Sequence, residues 1–515
     1  MVLKRARLLA ALAGVVATGL VAVACSAPAD EPDDQETLIW AASSALGTLD
    51  IAASLEVTSR QLLFGSVLEG LTELKADSDG NYDWEPLLAT SWEQIEPTKW
   101  RFELRTDVTF SDGQKLTARD VAFSVNKIAD PASSRASILN NLASAEVVDD
   151  DTVDIITKTP DFFAFRAAAE IAVQPDGWGT GDTAAGAATT AIGTGPYVLK
   201  DLSAAKDQAT LEVRDGYWRD ITPYFSTVQM RVIPDTGARF AALQAGEIQV
   251  ALDLSPDLLT QAPATLSAPA TEVEFVRIDT LTPPLDDVRV RQALNYAVDK
   301  DVLINDVRQG FAEPAHGQGT FKESHGFNPD VEDYPYDPEE AKRLLEEAGA
   351  ADLTLDLVCG DQYGVTGTDT CQTLVTMWND VGIDVNFTIA PYESMINDFL
   401  LARKNGLPAP NLLHLLAGSD TLTATPYIQN YLNCGPERGQ WCDPVFMEEA
   451  DKALAMTDAD EQAAAYRDLM QYARDEAPLV FLTNPRIVIA VAEGIQGVVY
   501  GNPGKINWAE YSRSS

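Results

Sequence analysis

The order in which hydrophobic periodicities follow one another constrains this chain most. Strand-like alternation dominates the first half, helical patterns crowd the region after Pro284, and strand pattern returns at the end. The strand at 37–40 opens the folded part. Trp100, Phe102 and Leu104 alternate with Arg101, Glu103 and Arg105, which gives one buried face. Val108 and Phe110 continue it, and Asp112-Gly113 supplies a turn. Further strands are predicted at 152–158, 196–202, 209–214, 227–233, 248–252 and 273–278. Thr117 caps a helix with Asp120 three residues on, and Val121, Val125 and Ile128 form its apolar stripe.

After Pro284 the spacing predicts one amphipathic helix over 289–308, through Val290, Leu294, Ala297 and Val298. The helix at 337–349 carries the fullest set of signals. Asp337 is its N-cap, Pro338 its first residue, Glu340 the partner in a capping box and Gly349 its stop. Strands at 353–358 and 383–389 flank a helix at 372–381, a β-α-β unit. Helices at 444–455 and 460–476 precede strands at 487–492 and 498–500. The Gly-, Ala- and Thr-rich stretch 177–195 reads as a flexible loop. Strands at both ends of the chain imply a discontinuous domain. A length of 515 residues implies two to four domains.

The formal net charge of −41 excludes classes of partner. Wrapping phosphates needs a basic footprint, so nucleic acid is not expected. An anionic membrane surface is disfavoured for the same reason. Solubility, salt adaptation and attraction of a cationic ligand all stay open as meanings of the acidity.

The first 24 residues read as an export signal. Lys4, Arg5 and Arg7 form the positive region, and 8–24 is an apolar run, short of the roughly 20 residues of a membrane span. It ends at Ala22-Val23-Ala24, directly before Cys25. A cysteine at that place resembles a bacterial lipobox, with Cys25 lipidated and first in the mature chain. Ala22 departs from the leucine usual there. Residues 25–36, rich in Pro and Asp, read as a flexible tether. Cleavage removes three basic and no acidic residues, so the mature chain is three units more negative.

With Cys25 assigned to lipid, Cys359, Cys371, Cys434 and Cys442 remain. An even set outside the cytoplasm reads as disulfides, with three possible connectivities. Nearest-neighbour pairing is favoured because each pair flanks one short loop. A zinc site is the runner-up; no Cys-x-x-Cys occurs, and His316, His325 and His414 are scattered. No metal or cofactor is expected.

A secreted hydrolase is the rival class. The sequence has no Gly-x-Ser-x-Gly elbow, no His-Glu-x-x-His helix and no Walker-type phosphate loop. In Gly193-Thr-Gly-Pro-Tyr197 the proline removes an amide that would cradle phosphate, so this reads as a turn entering a strand. No enzyme activity is expected.

Ten segments in order carry a resemblance. They are Leu68-Glu-Gly-Leu71, Glu85-Pro-Leu-Leu-Ala-Thr-Ser-Trp92, Trp100-Arg-Phe-Glu-Leu-Arg105, Val108-Thr-Phe-Ser-Asp-Gly113 and Leu116-Thr-Ala-Arg-Asp-Val-Ala-Phe-Ser124. Gly193-Thr-Gly-Pro-Tyr197, Gly216-Tyr-Trp218, Ala242-Leu-Gln-Ala-Gly-Glu247, Asp287-Val-Arg-Val-Arg-Gln-Ala-Leu-Asn-Tyr-Ala-Val-Asp299 and Tyr336-Asp-Pro-Glu-Glu-Ala-Lys342 follow. Together they resemble the family 5 extracellular solute-binding proteins of ABC importers, which include peptide-, dipeptide- and nickel-binding members. The motifs themselves are turns, caps and core faces, and Trp92, Trp100 and Trp218 read as core.

The resemblance implies an α/β, two-lobed periplasmic-binding-protein-like fold (type II, cluster C) with an extra subdomain on the N-terminal lobe. On that frame 37–75, 193–283 and 485–515 make lobe I, 76–192 the extra subdomain and 284–484 lobe II. A solute would be held between the lobes and passed to ABC permease subunits in the membrane by a monomer anchored through Cys25. The resemblance also implies the ligand residues. In peptide-binding relatives an Asp of the second lobe holds the peptide ammonium, and Asp420, with Gly418 and Ser419, is the matching position. The gap to Pro426 is longer than usual and no Trp precedes Asp420. Ser43, Ser44, Ala45 and Phe123 occupy places that face the cleft in relatives. Leu49-Asp50 lacks the proline that usually follows. An oligopeptide is the first ligand expected. A sugar, a metal chelate, or a sensor role without transport are the alternatives.

Overall fold

The computed structural model describes residues 37–51, 56–76, 82–137, 139–360, 366–391, 394–434, 440–502 and 504–514. The expected export signal, Cys25 and the expected tether lie outside them. The described chain is built on one twelve-stranded mixed sheet, a four-stranded antiparallel sheet and two hairpin-sized ribbons.

One long strand, Leu479–Val491, organises the large sheet. Its first half pairs with Glu272–Ile278 and Ala312–Pro314; its second half pairs with Ala264–Pro269 and Val250–Ala251. Beyond Val250–Ala251 lie Thr37–Ala42, Thr227–Val232, Gln208–Val213 and Tyr197–Leu202. Beyond Glu272–Ile278 lie Leu412–Gly418, Thr354–Gly360 and Asp384–Ala390. The expected β-α-β unit is there: Thr354–Gly360 and Asp384–Ala390 are parallel and joined by the helix Gly367–Asp380. Alternation explains the rest. Leu355 and Leu357 are buried while Thr354 and Asp356 are exposed.

Each half of the sheet has its own cores. Leu38, Trp40, Leu211, Met230, Val491 and Trp508 share one, where Trp40 and Trp508 stack with centroids 4.9 Å apart. The two ends of the folded chain thus meet in one core, as a discontinuous domain requires. The other half is flanked by a core around Phe275, Leu415, Tyr466 and Phe481 and another around Val276, Leu294, Leu357 and Trp378. A fourth core unites Phe102, Phe110, Val121, Val125 and Ile155 between the four-stranded sheet and the helix Ala118–Ala129. Trp100 lies in that core, and Trp92 and Trp218 pack against it. Thr117 and Asp120 form the expected capping box.

Several expectations need correction. The strand Glu272–Ile278, expected in lobe I, pairs with Leu412–Gly418 and buries Val273 and Phe275 beside residues of the 284–484 segment. The pairing therefore changes partners at 270–271, ahead of residue 283. The single helix expected over 289–308 is three pieces: a helix Val288–Tyr296, a turn Lys300–Val302 and a π-helical turn Leu303–Val307. Asp299 is the cause, because its carboxylate accepts the amides of Asp301 and Val302 and starts a new turn. At the helix Pro338–Glu347, Asp337 caps the amide of Glu340, while the Glu340 carboxylate turns to Arg343 at 2.7 Å. The strand expected at 487–492 is the end of the thirteen-residue strand, and 498–500 pairs with nothing among the described residues. The stretch 177–195 holds two short helical turns, Gly181–Thr183 and Ala184–Ala187. Disulfides join Cys359 to Cys371 and Cys434 to Cys442.

Candidate functional site

Two strands cross between the halves of the large sheet side by side. One crosses at Ala270-Thr271 and the other at Asn484-Pro485, and the Ala270 amide donates to the Pro485 carbonyl at 2.9 Å. The residues singled out at 418–420 hang from this crossing. The Ser419 amide donates to the Thr271 carbonyl at 2.9 Å, and the Thr271 amide donates to the Gly501 carbonyl at 2.8 Å. The chain then turns sharply. The Leu422 amide returns to the Ser419 carbonyl at 3.1 Å, with Leu422 at φ 50°. The Ser419 hydroxyl accepts the Thr423 amide at 3.1 Å. Asp420 is held at the head of this turn.

Around Asp420 the fold gathers charges from four distant segments. Asp420 Oδ1 accepts from Asn502 Nδ2 at 2.8 Å, and Oδ2 lies 4.0 Å from a guanidinium nitrogen of Arg135. Arg135 comes from the helical turn Ser134–Ser137 of the inserted region and is 2% exposed. Arg60, on the helix Val57–Leu63, donates to Glu170 at 2.7 Å. Lys505 lies 3.5 Å from the other Glu170 oxygen and over the rings of Phe64 and Tyr500. Three cations thus face two carboxylates. Such a group is stable only because its members offset one another's desolvation.

The electrostatics follow from that crowding. Burial raises the Asp420 pKa, Glu170 raises it further, and Arg60, Arg135 and Lys505 oppose the rise. Burial acts the same way on Glu170, but Lys505, Arg60 and Arg135 outweigh it and hold the carboxyl below its ordinary value. Glu272, next to the crossing at Ala270-Thr271, is pushed up to about 7 by burial and by the Asp420 charge. Burial and the neighbouring Arg60 bring Arg135 down to about 10, so it remains a cation at neutral pH. Arg166 closes one side. It donates to the carbonyls of Thr421 and Leu422 at 3.2 and 3.0 Å and lies over the rings of Trp84 and Phe163.

The other singled-out residues lie apart. The Ser43 hydroxyl donates to Asp253 at 2.8 Å, the Ser44 hydroxyl bonds that of Thr58 at 2.9 Å, and Ala45 is exposed. Phe123 is half-buried against Lys127, which pairs with Asp50 at 2.8 Å. Among the described residues no hydrogen bond or ion pair joins these to Asp420, although Ser44 touches the helix that carries Arg60. The nearest approach to metal-ligand spacing is Cys359, Cys371 and His414, whose ligand atoms lie within 4.8 Å of one another. Both sulfurs are in the disulfide, and His414 Nε2 is 3.0 Å from Glu274. His325 is brought down to about 4 by burial and Arg166, so it is neutral near pH 7. Arg60, Arg135, Glu170, Asn502 and Lys505 were not foreseen. Only Arg60 left a trace, as a cation two residues before the run Leu62-Leu63-Phe64 that the fold buries.

Comparison with known proteins bears on this arrangement. Residues 83–436 match the family described as "Bacterial extracellular solute-binding proteins, family 5 Middle". The chain is 27% identical to the dipeptide-binding protein of Escherichia coli K12, over 83% of this chain and 86% of that one. It is 32% identical to heme-binding protein A of Haemophilus influenzae, over 61% of this chain and 62% of that one. Its fold is similar to that of the ABC transporter-associated periplasmic binding protein DppA from Helicobacter pylori, solved with the peptide STSA. That likeness has a TM-score of 0.74 at 20% identity and covers 93% of this chain and 98% of the other.

Proposed function

We propose that this chain, which belongs to the family 5 extracellular solute-binding proteins of ABC importers, captures a peptide between two lobes and delivers it to the permease. Asp420 accepts the ligand's ammonium group. The observation that carries this reading is the meeting of Asp420, Arg135 and Asn502 beside the paired crossing strands. A carboxylate there pairs with an ammonium through charge-assisted bonds stronger than neutral ones. Contacts to both halves of the sheet then favour the closed state, because a ligand shifts an equilibrium by its differential affinity. The division into lobe I, an inserted subdomain and lobe II is supported by the separate cores around Trp40, Phe102 and Phe275. The protein binds and delivers and performs no reaction of its own. It acts as a monomer, held at the outer face of the membrane by lipid on Cys25. No helix among the described residues is long and apolar enough to cross a membrane.

Purified protein, denatured and analysed by mass spectrometry, is expected to release a peptide; a sugar or a metal chelate in its place overturns the peptide reading. In calorimetry Asp420→Ala is expected to weaken peptide binding at least about tenfold, and unchanged affinity removes Asp420 from the site. Cys25→Ser is expected to move the protein from the membrane fraction to the medium. Retention in the membrane refutes the anchor.

A further inference from the structure

Cys359, Cys371 and His414 stand on three elements that pack together. Cys359 lies near the end of the strand Thr354–Gly360 and His414 on Leu412–Gly418. These strands are parallel neighbours with Val358 beside Leu413, so Cys359 and His414 come next on the two of them. Cys371 lies one turn into the helix Gly367–Asp380. That turn rests on the His414 ring. A Cβ on Gly367, four residues before Cys371 and on the same helix face, would lie 3.6 Å from His414 Cε1 and 3.9 Å from Nδ1. Ligand atoms of the three residues lie within 4.8 Å of one another, and all three residues are buried. The other ring nitrogen, Nε2, is 3.0 Å from Glu274. Glu274 is itself fixed by Thr483 at 2.6 Å and Arg308 at 2.8 Å. A carboxylate behind the far nitrogen is the arrangement that orients an imidazole toward a metal. No other three such groups come together among the described residues, so the disulfide Cys434–Cys442 has no counterpart to His414.

We propose that this cluster is a redox-gated site for a thiolate-binding divalent metal ion, Zn2+ first of all. It is closed while Cys359 and Cys371 are joined and opens when they are reduced. The ligands are the two Sγ atoms and His414 Nδ1, with water in the fourth position of a tetrahedron. A dithiol gives two electrons to the Cys359–Cys371 bond and two protons to its sulfurs, and leaves as its own disulfide. The metal then displaces both protons to solvent, because the thiolate is the ligating form. Oxidation runs the other way. An external disulfide takes two electrons from the thiolates and two protons from solvent, the S–S bond re-forms and the ion leaves. Charge favours the exchange: two thiolates and a divalent cation sum to zero, as the disulfide does, so the buried Glu274–Arg308 pair meets no new net charge. Reach favours it too. Zn–S bonds of about 2.3 Å in a tetrahedron put the sulfurs about 3.8 Å apart, against about 2 Å in a disulfide. The two Cα atoms are 6.7 Å apart, near the wide end of the disulfide range of about 4.4–6.8 Å. Rotation of the side chains then supplies the difference. The ion is held by the fold itself and is not the solute passed to the permease.

Zinc uptake tests this on the full mature chain carrying Cys25→Ser, Cys434→Ser and Cys442→Ser, which keeps only the two cysteines of the site. The chain is reduced with dithiothreitol, freed of it without air and dialysed against Zn2+. Elemental analysis is expected to find one ion per reduced chain and none on the oxidised chain, with circular dichroism confirming the fold. Glu274→Gln, which acts only by positioning the imidazole, is expected to weaken zinc affinity by about 10- to 100-fold. His414→Gln and Cys359→Ser, which remove ligands, are expected to lose more. No uptake by the reduced chain overturns the inference, and so does equal uptake by the oxidised one. Affinity unchanged in His414→Gln overturns it as well. A chain that unfolds on reduction also does so, since the site needs the packed strands and helix. Should the background without the other cysteines not fold, the wild-type mature protein is compared with Cys359→Ser. A difference of one ion per reduced chain then supports the site, and equal uptake refutes it.

Discussion

Glu272 stands next to Asp420 and loses solvation there, with the Asp420 charge against it and only Arg308 in its favour. Glu272 titrates near 7, above the ordinary carboxylate range. The folded state therefore holds a proton that the unfolded state releases between about pH 4.5 and 7. Stability is expected to be fully present below that window, to fall as pH rises through it, and to level off above 7. The change is at most about 3 kcal/mol. Glu272→Gln should flatten this part of a plot of unfolding free energy against pH; an unaltered slope would place the titration elsewhere. Glu170 behaves in the opposite sense. Its pKa is depressed, so its stabilisation is present above the ordinary Glu range and is lost as pH falls through the depressed value. Glu170→Gln leaves Arg60 and Lys505 buried without a counter-charge and should cost about 3–5 kcal/mol in urea unfolding at pH 7. A loss below about 1 kcal/mol would mean that the two cations find other partners. Little of this was legible in the sequence. Asp420 was reached through resemblance to relatives. Arg135, Glu170 and Lys505 are single charged residues in short turns and loops, among many others, and they become a group only when segments far apart in the chain are brought together.

Elements were far more legible, because periodicity and caps are local. The β-α-β unit and the helix begun by Asp337 and Pro338 needed no tertiary information. The helix expected over 289–308 failed at Asp299, where a side-chain acceptor competes with the backbone ladder. The strands Ala89–Glu96 and Leu142–Val147 were not foreseen, since each buries little and has weak alternation. The segment Gly193-Thr-Gly-Pro-Tyr197 was read as a turn, and the structure adds the reason for its glycines. A Cβ on Gly193 would lie 2.0 Å from the Val67 carbonyl oxygen, and one on Gly195 would lie 2.5 Å from that of Ser66. Two backbones run in contact here, tied by Gly195 N–H to Val67 at 3.0 Å and Tyr197 N–H to Ser66 at 2.9 Å. Gly193→Ala is expected to lower stability by about 3 kcal/mol through overpacking. A melting temperature within about 1 °C of wild type would show that the segment yields easily.

At the scale of the molecule, the sheet is continuous, yet its two halves have separate cores joined by two adjacent strands. A pair of strands bends more easily than a packed interface shears, so the crossing at 270–271 and 484–485 is the place for a hinge. The resemblance implies two lobes, but it did not tell that Glu272–Ile278 pairs with Leu412–Gly418, because an apolar strand reads alike whichever neighbour it joins. The loop that carries Asp420 is bonded to the crossing strands through the Ser419 amide and the Thr271 carbonyl. Arg135 and Arg166 approach the same loop from the inserted region. On the proposed reading, a ligand held at Asp420 would touch groups from both sides of the crossing, and binding and closure would be one equilibrium. Small-angle scattering is expected to show the radius of gyration of the wild-type protein falling when it is saturated with a bound peptide. Asp420→Ala at the same peptide concentration should keep the larger value and reach the smaller one only at about tenfold more peptide. If calorimetry shows the wild type fully occupied while its scattering is unchanged, the two crossing strands do not act as a hinge, and the lobes hold one arrangement throughout.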